Sequence, residues 1–235
     1  MRRAREGHGG GVWITADEQT GGRGRTGRVW HSPPGNLHAS LLLVDPCPVA
    51  QTPELGFVAG VALAQALREA LGGDDRLKIK WPNDMLFEGA KLSGLMLEGA
   101  QLADGRFAVV IGIGVNCIAH PENLAYPAAS LAKIASRPIP AAEVLARLAN
   151  RMNHWLGLYA AGRNFALIRQ HWLDLAAGVG KAIEIVQGNH HVQGIFSTID
   201  DFGRLVVATP DGPETIAAGD VFLKPPLASK SHSEN

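Results

Sequence analysis

The sequence predicts an α+β protein in two parts. A larger region, residues 1–177, is built from strands and helices. A small β barrel covers residues 178–226, and a polar tail, 227–235, is expected to be disordered. Three observations carry that reading. Apolar runs of strand length stand at 37–44 and 107–115, the second continuous enough for a central strand. Apolar residues recur at helix spacing over 53–71, 141–159 and 165–173. After Gly178-Val179-Gly180 the pattern changes to short β-like runs, with turn residues about every ten positions.

Each element follows in turn. Residues 1–10 read as a helix end running into the turn His8-Gly9-Gly10-Gly11, and 12–16 as a buried strand. A Gly/Arg-rich loop leads through Pro33-Pro34-Gly35-Asn36 to the strand 37–44. Pro53 opens a helix that buries Leu55, Val58, Ala59, Ala62 and Ala66 and stops at Gly72-Gly73. Residues 77–81 form a strand ended by Pro82, and 84–87 pairs with 92–97 around Glu88-Gly89-Ala90. The helix over 141–159 is the longest, and 165–173 is another. The barrel strands are 182–186, 192–199, 204–208 and 214–217, separated at Gly188-Asn189, Asp201-Phe202-Gly203 and Asp211-Gly212-Pro213.

Composition narrows the function classes. Lys+Arg and Asp+Glu both number 22, so the formal net charge is zero and a general electrostatic nucleic-acid binder is excluded. Cys47 and Cys117 have neither metal spacing nor a disulfide-scaffold pattern and read as reduced thiols in a cytoplasmic protein. No apolar run has signal-peptide or membrane-spanning length, so no membrane partner is expected.

Four segments carry chemistry. The first is the loop from Gly21 to Trp30, in which Arg23, Arg25 and Arg28 alternate with Gly22, Gly24 and Gly27. Glycines let backbone approach a ligand, and guanidinium forks grip phosphate and carboxylate. It has neither the Gly-Lys-Ser/Thr of a P-loop nor the Rossmann order of glycines. The second is Lys80-Trp81-Pro82-Asn83-Asp84, a cation, an amide and a carboxylate at a strand end. The third, from Lys91 to Glu98, offers an ammonium at the head of an apolar strand. The fourth, Gly112-Ile113-Gly114-Val115-Asn116, pairs close backbone approach with an amide. Read singly, each has a structural alternative: a solvated turn, an Asn-Asp turn, a snorkelling lysine and a bulge.

Taken in this order, with Gln19 ahead of them, the four segments resemble the catalytic region of biotin–protein ligases. The resemblance extends over nearly the whole chain. It implies a class II synthetase-like domain, a mixed sheet flanked by helices, followed by an SH3-like barrel. It implies Arg25 and Lys91 as catalytic residues, and Gln19, Arg23, Gly24, Arg25 and Lys91 as the biotin site. Gly22, Arg28, Trp30, Asn83, Asp84, Gly94 and Asn116 would hold ATP and the adenylate, with Asp84 also taking Mg²⁺. The implied reaction joins biotin to ATP as biotinyl-5′-AMP, then to a lysine of the biotin carboxyl carrier domain of acetyl-CoA carboxylase or a related carboxylase. A homodimer through the sheet edge is left open.

The chain also departs from the pattern. Family members carry a Ser-Thr-Asn segment some way before the glutamine, and none stands among the residues before Gln19. That reads as an internal start or a truncation. There is likewise no room for a helix-turn-helix domain, so no DNA binding is expected. The alternatives are a lipoate- or octanoate-attaching relative, or a biotin-binding module left inactive by the missing segment.

Overall fold

The computed structural model describes residues 1–122 and 124–223; the tail 227–235 lies outside the described residues. Two compact units emerge, one of residues 1–177 with 201–203, the other of 178–200 and from 204 on.

The larger unit holds α1 (Arg2–Arg5), β1 (Val12–Thr15), β2 (Leu37–Val44), α2 (Glu54–Ala70), β3 (Leu77–Lys80), β4 (Asp84–Phe87), β5 (Ala90–Gln101), β6 (Phe107–Val115), α3 (Leu131–Ile134), α4 (Ala141–Tyr159) and α5 (Phe165–Leu175). Its six strands run in the order β1-β2-β6-β5-β4-β3, so the continuous apolar run of β6 lies inside the sheet. Every strand pair in it is antiparallel. Among the described residues parallel pairing is confined to two single bridges, Ile79 with Ala176 and Lys91 with Ala128.

Strand alternation sorts the two faces. In β2, Leu37, Ala39, Leu41 and Leu43 are buried, and the matching face of the sheet meets α2, where Gly56 lies against Leu97 and Gly60 against Ile79. Helix α2 is buried nearly all round, with Leu55, Val58, Ala59, Val61, Ala62, Leu63, Ala66 and Leu67 all at 0% exposure. Burying each of its larger side chains is worth about 1.5–3 kcal/mol. The helix stops where Gly72 and Gly73 take φ of 78° and 93°. In α4, Val144, Leu148, Met152, Trp155 and Tyr159 form one buried stripe. The opposite face of β2 bears His38, Ser40 and Leu42. Leu42 joins Ala4 of α1, Leu102 and Ala108 in a small core.

Two expected elements come out differently. Residues 12–15 form an edge strand, not a buried one: β1 has a partner on one side only, and Ile14 is 41% exposed. The β4–β5 turn has two residues, Glu88 and Gly89, at φ 49° and 83°, so Ala90 already belongs to β5. β5 then runs to Gln101, through Glu98 and Gly99, whose exposure hides the strand from an apolar pattern.

The smaller unit is a five-stranded antiparallel sheet of β7 (Ala182–Gln187), β8 (His190–Ile199), β9 (Leu205–Thr209), β10 (Gly212–Ile216) and β11 (Asp220–Leu223), in the order β10-β9-β8-β7-β11. Ile183, Ile185, Val192, Phe196, Leu205, Val207 and Val221 are buried in it. β11 is a strand that the turn spacing did not mark.

Candidate active site

Register assembles the site. Cα pairing puts Lys80, Asp84, Gly94, Gly114 and His38 in one row across β3, β4, β5, β6 and β2. Opposed residues of antiparallel strands share a face, here the one turned away from α2. The next row on that face holds Met96, Gly112, Ser40 and Ile14.

Trp30 lies on this floor. A Cβ at Gly114 would stand 2.5 Å from the indole Nε1 and Cε2, and one at Gly94 would stand 3.4 Å from Cζ3. The ring therefore spans two glycines, with its N–H edge over Gly114, where no larger residue fits under it. Its Nε1 is buried without a hydrogen-bond partner. At Gly112 a Cβ would meet nothing nearer than the Met96 carbonyl oxygen at 3.6 Å, so the floor is open there.

One end of the row is cationic. A register shift between Met85 and Leu86 makes Leu92 an extra residue in β5. Leu92 and Ser93 are both fully buried, and Lys91 comes round to the face of Gly94, whose Cβ would lie 3.6 Å from the lysine Cε. Lys91 Nζ stands 2.6 Å from Asp84 Oδ1, and Lys80 Nζ stands 3.5 Å from Oδ2. Two ammonium groups share one carboxylate, which leaves a positive charge over. An anion 4 Å from that charge gains on the order of 4 kcal/mol at the effective dielectric of a partly buried site. Lys91 Nζ also lies 5.7 Å from the Trp30 ring centre and 5.6 Å from that of Tyr126. Arg25 Nη1 donates to Asn83 Oδ1 at 3.4 Å, and Asn83 Nδ2 donates to the Leu95 carbonyl at 2.5 Å.

The donor set does not suit Mg²⁺ at Asp84. Both carboxylate oxygens already face ammonium groups, which a dication would oppose. Among the described residues no group of three His, Cys, Asp or Glu side chains is placed to hold a metal ion.

The other end is polar. His38 is 3% exposed; its Nε2 lies 3.0 Å from the Pro33 carbonyl oxygen, and its Nδ1 has no partner. Nearby in sequence, the Ser32 hydroxyl donates to Gln19 Oε1 at 2.8 Å. A Cβ at Gly22 would stand 2.5 Å from the Trp30 carbonyl oxygen and 2.6 Å from Ser32 Oγ, so this position needs glycine.

The arginine segment is a two-stranded arm. Trp30 N donates to the Gly22 carbonyl at 3.0 Å and Gly24 N to that of Arg28 at 2.7 Å. Thr26 and Gly27, at φ 55° and 75°, make the tip. Arg23 and Arg28 are exposed on the arm, while Arg25 turns in toward Asn83. Asn116 sits under the site: it is buried, and its Nδ2 donates to the Ala129 and Lys91 carbonyls at 3.0 and 3.4 Å. It thereby ties the segment after Pro127 to the strand that carries Lys91. Beyond Lys91 is a cavity of about 350 Å³ lined by His120, Leu124, Tyr126, Ala128 and Lys133 among others.

Residues 4–116 match the Biotin/lipoate A/B protein ligase family, and 178–224 match the Biotin protein ligase C terminal domain. The chain is 39% identical over 222 residues to the biotin–[acetyl-CoA-carboxylase] ligase of Paracoccus denitrificans, covering 91% of each. The chain belongs to the biotin–protein ligase family. The bifunctional ligase/repressor of Bacillus subtilis is 35% identical over 91% of this chain and 66% of its own length. Among solved structures, the biotin protein ligase from Aquifex aeolicus in complex with biotin and ATP superposes with a TM-score of 0.79 at 27% identity, over 95% of this chain and 93% of that one.

In this ligase-family chain the structure brings Arg25, Trp30, Asn83, Asp84, Lys91 and Gly94 together, with Asn116 beneath. Gly22, Gly24, Arg23 and Arg28 lie on the arm, and Gln19 at its base. Sequence reasoning assigned no role to His38, Ser40, Met96 or Tyr126, and marked Lys80 only as the cation of the segment 80–84. A signal was present for the first two: in Leu37-His38-Ala39-Ser40-Leu41 the alternation puts both polar residues on one face.

Proposed function

We propose that this chain activates biotin with ATP to biotinyl-5′-AMP and passes the biotinyl group to a lysine of a carboxylase's biotin carboxyl carrier domain. The observation that carries the reading is the row from the two-lysine carboxylate, over a glycine floor, to a buried polar end, in a chain of this family. The surplus positive charge at its Lys91 end suits a ligand with an anionic group. Placed near Lys91, the biotin carboxylate and the α-phosphate of ATP have their mutual repulsion offset by the surplus charge.

A carboxylate oxygen attacks the α-phosphorus, the bond to the bridging oxygen breaks, and pyrophosphate leaves. Placement and charge supply the rate, so the chain needs no nucleophile of its own. In this reading Arg25, held on Asn83, and the arm bearing Arg23 and Arg28 close over the anhydride and keep water away. In the second step the carrier amine attacks the anhydride carbonyl, AMP leaves, and the amine proton passes to solvent. The half-exposed Tyr126 ring beside Lys91 offers adenine a stacking face. Magnesium belongs to this reading as the counter-ion of the nucleotide phosphates, with no step assigned to it. Among the described residues no helix is long and apolar enough to cross a membrane. A cytoplasmic setting, where ATP is supplied, goes with the reading.

The test is the intact mass of a biotin carboxyl carrier domain after incubation with this chain, biotin and MgATP. One biotinyl addition, absent without ATP and absent with lipoate in place of biotin, is the expected result. A lipoyl addition, or none from folded protein, overturns the proposal.

A further inference from the structure

We propose that His38 is a specificity residue for the biotin head, its Nδ1 accepting a hydrogen bond from a ureido N–H. The inference rests on the reading of this face as a biotin site.

Three observations meet at this residue. First, the tautomer is set. A carbonyl oxygen can only accept, so at 3.0 Å from the Pro33 oxygen the ring nitrogen Nε2 must carry the hydrogen. In the neutral ring Nδ1 is then a lone-pair acceptor. Second, that acceptor is buried and unsatisfied, in a side chain only 3% exposed. A buried polar atom left without a partner is costly, and such atoms are rare in folded proteins. Third, its place is set by register. His38 opposes Gly114 on the site face, across the row from Asp84 and Lys91. Three strand spacings separate Asp84 from His38, about 14 Å between Cα atoms. On this proposal a ligand held by its carboxylate at Lys91 extends past Trp30 toward His38.

The neighbouring atom matches the same chemistry. Trp30 Nε1, over Gly114, is a buried donor that also lacks a partner. An acceptor and a donor flanking one glycine complement a cyclic urea, which shows N–H and C=O side by side. The dithiolane ring of lipoate and a plain acyl chain offer neither. The two unsatisfied groups therefore select against the other acids that a Lys91-type anion seat would admit.

The first experiment uses the wild-type chain. With ¹⁵N-histidine labelling, the His38 Nδ1 resonance is expected to move on addition of biotin, and not on addition of lipoate. The second compares biotin with its two mono-N-methyl ureido analogues in biotin-dependent ATP–pyrophosphate exchange. His38→Phe should raise KM for biotin about tenfold with kcat little changed, and should leave KM unchanged for the analogue lacking the recognised N–H. His38→Asn, which restores a polar group near the Nδ1 position, should recover part of the loss. An equal penalty on biotin and both analogues would mark a structural role and overturn the assignment, as would a wild-type Nδ1 resonance unmoved by biotin. If the wild type shows no biotin-dependent exchange at all, the functional reading fails first and this one with it. Normal exchange with an unmoved resonance sinks only the role of His38.

Discussion

Alanine at Gly114 should damage the site and the fold together, whereas alanine at Gly112 should damage the site alone. The difference lies in what each methyl meets. At Gly114 the new Cβ stands 2.5 Å from Trp30 Nε1 and Cε2 and 2.7 Å from Cζ2. Carbon contacts settle at about 3.5–4.0 Å, so the indole must retreat by about 1 Å. It is a rigid ring over a sheet, not the free end of a flexible side chain. Overpacking of this kind costs about 1–3 kcal/mol, which for a chain of this size lowers Tm by roughly 2–12 °C. At Gly112 the nearest atom is the Met96 carbonyl oxygen at 3.6 Å, an ordinary contact. Alanine also suits a strand interior better than glycine, so Tm should hold or rise slightly. The same methyl occupies the open floor, and one methyl misplaced in a binding site costs about 10–200-fold in kcat/KM. Thermal melts followed by tryptophan emission, with biotin-dependent pyrophosphate exchange on both variants, separate the outcomes. Gly114→Ala with wild-type Tm and emission, or Gly112→Ala with wild-type KM for biotin, would refute the reasoning.

Three further outcomes follow from the same structure. Lys91→Met removes the ammonium nearest Asp84 and should lower the exchange rate about 10²–10³-fold, while Tm moves only a few degrees; a loss under threefold contradicts its role. Burial holds the Glu54 carboxyl above its usual range, while the Tyr159 hydroxyl donates to it at 2.8 Å. The stability this group contributes is full below its unfolded value of about 4.3 and is lost as pH rises through the raised folded value. Glu54→Gln, neutral throughout, should thus gain Tm over wild type at pH 8 more than at pH 4, and a difference independent of pH would remove the argument. Burial pushes the Cys117 thiol up to about 11 and raises the half-buried Cys47 less. Iodoacetamide at pH 8 should label Cys47 well ahead of Cys117, as peptide mass mapping would show; the reverse order would contradict the burial assignment.

Side-chain period is a local property, and the sequence by itself determined what depends on it. The predicted strands 37–44 and 107–115 and the helix 141–159 coincide with β2, β6 and α4, the strands because each is an apolar run of strand length and the helix because its apolar residues repeat at about 3.6 positions. Gly72-Gly73 and Pro82 punctuate as residue types do anywhere. The arginines, the Trp-Pro-Asn-Asp segment and Lys91 were legible as chemistry for the same reason: residue type alone says what a side chain can grip. Their arrangement is not local. Lys91 faces the site because one bulge at Leu92 shifts the register of β5, and nothing in Lys91-Leu92-Ser93-Gly94 announces an extra residue. Gly94 and Gly114 lie under Trp30, a neighbour only once β5 and β6 pair beneath the arm. Asn116, legible as a polar group at a strand end, is spent on the Ala129 and Lys91 carbonyls. His38 joins the row with Asp84 solely through the pairing of β2, β6, β5 and β4. Strand order and register are set by which faces can be buried together, a property of the whole sheet, and that is why they waited for the tertiary structure.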